Sequence, residues 1–181
     1  MKKIQAPLTE VMIKEMRIGE ELLITGTIYG ARDAAHKKMV ETLEKGEPLP
    51  IPLAGQIIYY VGPCPAKPGE AIGSAGPTTS GRMDAYAPLL LNLGLKGMIG
   101  KGQRTPEVVQ AMQKNGAVYL GAVGGAGALL AQRIKKARVV AYPELGPEAI
   151  WEFQVEDFPV IVIIDSQGNN LYQEGPKTYS R

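Results

Sequence analysis

The chain holds a single cysteine, a single histidine and no apolar run of about 18 residues among its 181 positions. Cys64 alone can form no internal disulfide and cannot supply a cysteine framework for a metal, which points to a reducing, cytoplasmic setting. Met1–Met12 carries two lysines but lacks the apolar core of about 7 to 15 residues that a signal peptide needs, so a soluble protein with no membrane contact is expected. The net charge is only +2, and no cluster of Lys and Arg stands out, so nucleic acid is not an expected partner either. Internal repeats and low-complexity linkers are also missing. A length of 181 residues fits one domain over 1–181, with a polar tail from about Gly168, and over 170–181 in particular, expected to be partly mobile.

What is present in excess is glycine and proline, 22 and 14 residues, about a fifth of the chain against roughly 12% in an average protein. Many tight connections between short elements follow. Glu21–Thr27, Gln56–Val61, Lys96–Ile99, Ala117–Val123, Ala137–Tyr142 and Val160–Ile164 are short runs rich in Val, Ile, Leu and Tyr, and are predicted as strands. Helices are predicted over Thr9–Met16, Arg32–Lys45, Ser80–Leu93, Pro106–Lys114 and, more weakly marked, Ala126–Lys135. The fourth has Thr105 as its cap, Pro106 at its first position, Val108, Val109 and Met112 on one face, and Asn115-Gly116 to close it. Alternation of strands and helices in the second half implies an α/β fold with some parallel pairing.

Three segments could carry chemistry. Thr27 to Lys38 passes from a strand end through Gly30 into a helix start, where the dipole favours anions; Arg32 and His36 share a face, and Asp33 could orient the His36 ring. An ordinary solvated helix start fits the same residues. In Gly76-Pro77-Thr78-Thr79-Ser80-Gly81-Arg82-Met83-Asp84, three hydroxyl residues at a helix start and the planar fork of Arg82 would make an anion pocket, or merely a well-capped helix. In Gly100-Lys101-Gly102, flanking glycines let the backbone approach a ligand, although a lysine in a glycine turn is commonly just solvated. The run Gly121–Gly127 lacks the third glycine and the acidic residue of a dinucleotide loop, and packing or close backbone approach explains it better. Cys64 as a nucleophile would have only His36 for a base and Lys67 as a nearby cation.

Taken in order, Arg32–Lys37, Gly76–Asp84, Gly100–Gly102, Tyr142–Trp151 and Val155–Pro159 resemble the class I, iron–sulfur-dependent fumarate hydratase family, in its β subunit or C-terminal domain, from about Leu8 to Asn170. The resemblance implies a swivelling three-layer β/β/α domain with a mixed sheet. It would close over a separate α subunit whose three cysteines hold a four-iron, four-sulfur cluster with one open iron, and a dimer of such heterodimers would form. No metal ligand is implied here, and this chain alone would be inactive. Carried over by motif, Arg32 and Arg82 would grip the carboxylates of a small dicarboxylate, Thr78, Thr79, Ser80 and Gly81 would line the pocket, and Lys101 would complete it. The implied reaction is hydration of fumarate to (S)-malate. For its proton step we hypothesise Thr78, activated by a carboxylate of the partner, with His36 as the second candidate. The alternatives are a dehydratase β subunit for tartrate or another hydroxy-dicarboxylate, and a non-catalytic anion-binding or assembly domain on the same scaffold.

Overall fold

A computed structural model describes residues 1–123 and 127–174; Gly124, Gly125 and Ala126 of the glycine run, and residues 175–181 of the tail expected to be mobile, lie outside the described residues. The strands are β1 (Lys2–Gln5), β2 (Glu21–Gly30), β3 (Ile57–Tyr59), β4 (Gly97–Gly100), β5 (Val118–Ala122), β6 (Ile134–Ala141) and β7 (Ile150–Ile164). The helices are α1 (Glu10–Glu15), α2 (Asp33–Glu44), α3 (Ala87–Asn92), α4 (Pro106–Asn115) and α5 (Gly127–Ala131), with 3-10 turns over Ser80–Met83 and Pro143–Glu148.

Parallel pairing joins β1 to β2 and runs through β2, β3, β4 and β5, while β7 is antiparallel to β2, β5 and β6. One edge of β7 follows β2 along nearly its whole length; the other pairs first with β6 and then, from Val160 onward, with β5. The sheet therefore closes on itself through β2, β3, β4, β5 and β7. It bends where the register of β2 slips between Ile24 and Gly26, opposite Asp157, whose φ of 50° interrupts β7 and whose amide donates to Thr25 Oγ1 at 3.0 Å.

Side-chain parity sorts the strands into two cores. Ile57, Tyr59, Ile99, Val118, Leu120, Val160 and Val162 point into the space enclosed by the folded sheet. Their neighbours Ile58, Tyr60, Met98, Tyr119 and Ile163 point outward against Ala35 and Met39 of α2, Leu90 and Leu91 of α3, and Val108 and Met112 of α4. Apolar residues on both faces explain why these strands look like continuous apolar runs. Two sheet layers and one helix layer make an α/β fold of the β/β/α kind with a mixed sheet, as the resemblance implied.

Several local expectations change. The helix expected over Ser80–Leu93 is broken into a 3-10 turn and a short α3, because Pro88 can sit only in a first turn and so restarts the helix at Ala87. Thr105 is the N-cap of α4, but its hydroxyl makes no capping bond; Asp84 Oδ2 accepts the Thr105 amide at 2.9 Å instead. At the other end Gly116 closes α4 in the left-handed conformation, as its sequence predicts. The expected helix over Ala126–Lys135 ends at Ala131, and β6 begins at Ile134. β7 starts at Ile150 rather than Val160, and β1 was not anticipated because two of its four residues are lysines.

Candidate functional site

The carboxyl ends of β2, β3 and β4 meet at one rim, the side where open α/β sheets bind ligands. Pairing continues just past the strands: the Ala31 amide donates to Tyr59 O at 3.0 Å, and the Tyr60 amide to Ile99 O at 2.8 Å. Arg32 and Lys101 therefore leave the sheet from strands two apart, about 10 Å across at the usual spacing. The segment after Pro77 lies across the same rim. The Thr78 amide donates to Tyr60 O at 2.7 Å, Thr79 bridges Lys101 in parallel fashion, and the Ser80 amide donates to Lys101 O at 2.8 Å.

The sequence-predicted residues thus gather, though not all in the same way. Thr79, Gly81, Arg82 and Lys101 are exposed and Thr78 is half-buried. Neither Arg82 nor Lys101 has an ion-pair partner, and the Thr78 hydroxyl has no hydrogen-bond partner, among the described residues. Around Gly81 there is open space. Ser80, by contrast, is wholly buried. Tyr119 donates its hydroxyl proton to Gly102 O at 2.8 Å, so the 2.7 Å contact between Ser80 Oγ and Tyr119 is a bond donated by the serine. Ser80 holds the rim from below instead of lining it. The helix start expected here is a 3-10 turn, since no α-helix begins until Ala87, and the Thr78 and Ser80 amides are already bonded within the rim.

Two glycines make room for this arrangement. A Cβ on Gly62 would lie 2.6 Å from Arg32 Cδ and 2.8 Å from its Nη1, so the bare backbone after β3 is what the Arg32 side chain rests on. A Cβ on Gly100 would overlap Ser80 Oγ and stand 2.8 Å from Tyr60 Cδ2. Gly100→Ala should therefore cost about 1–3 kcal/mol by overpacking and lower the Tm by several degrees, which thermal unfolding of the chain measures.

The turn from β2 into α2 carries the remaining candidates. Arg32 Nε stands 3.7 Å from Asp33 Oδ1 and 3.7 Å from Glu148 Oε1, in the 3-10 turn before β7, yet makes no hydrogen bond. His36 is fully buried, with Tyr60 edge-on at 5.4 Å and Tyr86 at 6.2 Å between ring centroids. Its Nδ1 lies 2.7 Å from Arg32 O; a carbonyl only accepts, so Nδ1 carries the proton and Nε2 is a bare acceptor. Asp33 therefore does not orient this ring, contrary to expectation, because the Arg32 carbonyl has taken Nδ1. Burial pushes the His36 pKa down to about 4, helped by the nearby Arg104 guanidinium and opposed by the Arg32 carbonyl and Asp33. Arg32 Nε, Asp33 Oδ1 and His36 Nε2 are the buried side-chain polar atoms left without a hydrogen-bond partner among the described residues, and all come from this one turn.

Sequence reasoning passed over the groups beneath the rim. Arg104 is buried and joined to Asp84 at 2.7 Å, and Tyr60 and Tyr119 flank its guanidinium. Asp84 ends one of the quoted motifs and Arg104 lies two residues past another, but nothing in the sequence pairs them. A cavity of about 560 Å³ lies elsewhere, beside Lys3, Thr25, Lys135 and Asp157. The rim is instead an open face, and its unpaired basic and hydroxyl groups outweigh a cavity whose lysines stand beside Asp157 and Glu156, Lys3 being paired with the former.

Residues 2–175 match the family described as Fumarase C-terminus. The chain is 43% identical over 175 residues to "Fumarate hydratase class I, anaerobic" of Escherichia coli (strain K12), a match covering 94% of this chain and 32% of that protein. To "Fumarate hydratase 2" of Leishmania major it is 41% identical over 175 residues, covering 94% and 31%. To "Putative L(+)-tartrate dehydratase subunit beta" of Methanocaldococcus jannaschii it is 40% identical over 181 residues, covering 96% and 93%. The chain spans about a third of the length of the fumarate hydratases it matches, and nearly all of the tartrate dehydratase subunit.

Proposed function

The chain belongs to the fumarase C-terminus family of hydro-lyases, and on that footing we propose that it is the β part of an enzyme interconverting fumarate plus water and (S)-malate. What supports this reading is that Arg32 and Lys101 follow strands two apart at one rim, that the Thr78–Thr79 segment pairs across it, and that Arg82 lies in the turn that comes next. A four-carbon diacid carries two separated negative charges. Two guanidinium forks fix both the position and the plane of its carboxylates, and Lys101 adds a point charge between neighbouring strand ends. Proton transfer occurs at the carbon beside one carboxylate; the Thr78 hydroxyl, without a hydrogen-bond partner among the described residues, takes or returns that proton once a carboxylate from the α part activates it. His36 anchors the Arg32 carbonyl and thereby the root of the arginine.

The iron–sulfur cluster that the resemblance implies does not fit this chain. Three thiolates cannot come from one cysteine, and among the described residues no three His, Cys, Asp or Glu side chains gather as a metal site. The cluster is assigned to an α part, for which the two thirds of the fumarate hydratases' length that this chain does not match leave room. A relative named as a subunit beta supports a separate α chain here; closure of this domain over it and a dimer of heterodimers rest on the family resemblance. No helix among the described residues is long and apolar enough to cross a membrane.

Anaerobic co-expression with a candidate α partner, followed by assay on malate, fumarate and tartrate, tests the reading. Turnover of malate and fumarate is the expected result. Turnover of tartrate alone would favour the second reading, a tartrate dehydratase β subunit, which the full-length match to that subunit supports. An iron-loaded complex that turns over none of them would leave an anion-binding or assembly domain. Within the active complex, Arg32→Lys keeps the charge but loses the fork, and should raise KM by roughly 10- to 100-fold in steady-state assays.

A further inference from the structure

We infer that Arg104 is a positioning residue, a buried strut that sets the Thr79–Lys101 pair and the Arg82 turn relative to one another. Its geometry stands on the structure alone; its consequence for substrate rests on the hydro-lyase reading above.

The Arg104 side chain has no exposed surface, and a guanidinium taken out of water costs several kcal/mol unless its donors are satisfied. Here they are. Nε donates to Asp84 Oδ1 at 2.7 Å, Nη2 to the Tyr60 hydroxyl at 3.1 Å and Nη1 to Met98 Sδ at 3.5 Å. The guanidinium carbon lies 5.2 Å from the Tyr60 ring centre and 4.9 Å from that of Tyr119.

Each contact ends on a segment that carries candidate binding groups. Tyr60 is the residue whose carbonyl receives the Thr78 amide. Asp84 follows the Ser80–Met83 turn that bears Arg82, and its second oxygen accepts the Thr105 amide at the start of α4. Tyr119 links Ser80 Oγ to Gly102 O, each one residue past the Thr79–Lys101 bridge. Burial raises the Tyr60 and Tyr119 hydroxyls above the ordinary tyrosine range, so both keep their protons, Tyr119 to donate to Gly102 O and Tyr60 to accept from Arg104 as a neutral phenol. A hydrophobic core of equal volume would stabilise the fold at least as well as this ion pair. What the pair adds is direction, because a planar guanidinium bonded through all three nitrogens, with Asp84 holding Arg104 by one oxygen and the Thr105 amide by the other, restricts the relative placement of the two rim segments.

The test uses Tyr119→Phe, which removes the Ser80–Gly102 link but keeps the ring, and Arg104→Lys, which keeps the charge but not the fork. Amide hydrogen exchange on the full chain should show Ser80 losing about tenfold in protection, with core amides such as Val162 unchanged. In the reconstituted enzyme, KM for malate should rise about tenfold or more in each variant, with kcat less affected and the Tm of Tyr119→Phe within a few degrees of the parent. Unchanged Ser80 protection in Tyr119→Phe overturns the strut, as does unchanged KM in an active enzyme. Should Arg104→Lys fail to fold, Tyr119→Phe decides alone. A wild-type complex inactive on malate and fumarate would instead remove the proposed function, and the exchange experiment would still judge the strut.

Discussion

Thr78→Ala is expected to lower turnover of malate and fumarate by about 100- to 10,000-fold in the reconstituted enzyme, with the fold and the α–β assembly unchanged. The fold should be indifferent because Thr78 is fixed through its backbone: its amide bonds Tyr60 O, and the next residues bond Lys101. Its hydroxyl makes no bond to any described residue, so alanine leaves no buried partner unsatisfied. The loss should appear in kcat and kcat/KM together, the pattern of an interaction made in the transition state, while carboxylate binding by Arg32, Arg82 and Lys101 persists. Thr78→Ser, which keeps the hydroxyl, should recover much of the rate. Steady-state kinetics of both variants decide the matter; full turnover in Thr78→Ala would exclude the hydroxyl from the proton step.

The α/β class, the parallel middle of the sheet and the ends of α4 were legible because their signals are local. Short Val and Ile runs mark strands buried on both faces, and Pro106 and Gly116 punctuate a helix wherever it packs. The full length of β7 was not legible. Phe153 and Val155 face a core between polar neighbours, but Glu156, Asp157 and Pro159 interrupt the pattern at the bend, where the strand changes partner from β6 to β5. The rim residues could be named from several motifs in order, whereas their division of labour could not. Ser80 looks like Thr78 and Thr79 in sequence, and only Tyr119 coming from β5 turns its hydroxyl inward. Arg104 and Asp84 lie 20 residues apart, and a charge can be known to be buried only when its partner is known.

Stability of the folded chain should increase by about 3 kcal/mol between pH 4 and 6.5 on account of His36 alone. In the unfolded chain the imidazole titrates near its ordinary 6.5, but in the fold burial lowers the value to about 4, so between these limits the unfolded state binds the extra proton. Above pH 6.5 both states are neutral and the stability is fully present; as pH falls it drains away until the folded imidazole also protonates. The direction has a geometric cause. A second ring proton at Nε2 would meet no acceptor among the described residues, and the cation would stand near the Arg104 guanidinium in a site closed by Tyr60 and Tyr86. Carboxylates also titrate in this range, so the measurable quantity is the difference between wild type and His36→Asn in urea unfolding from pH 4 to 7. That difference should widen toward neutral pH in favour of the wild type. If it is the same at every pH, the imidazole is not held neutral by the fold, and the anchoring of Arg32 through a neutral Nδ1–H donor loses its support.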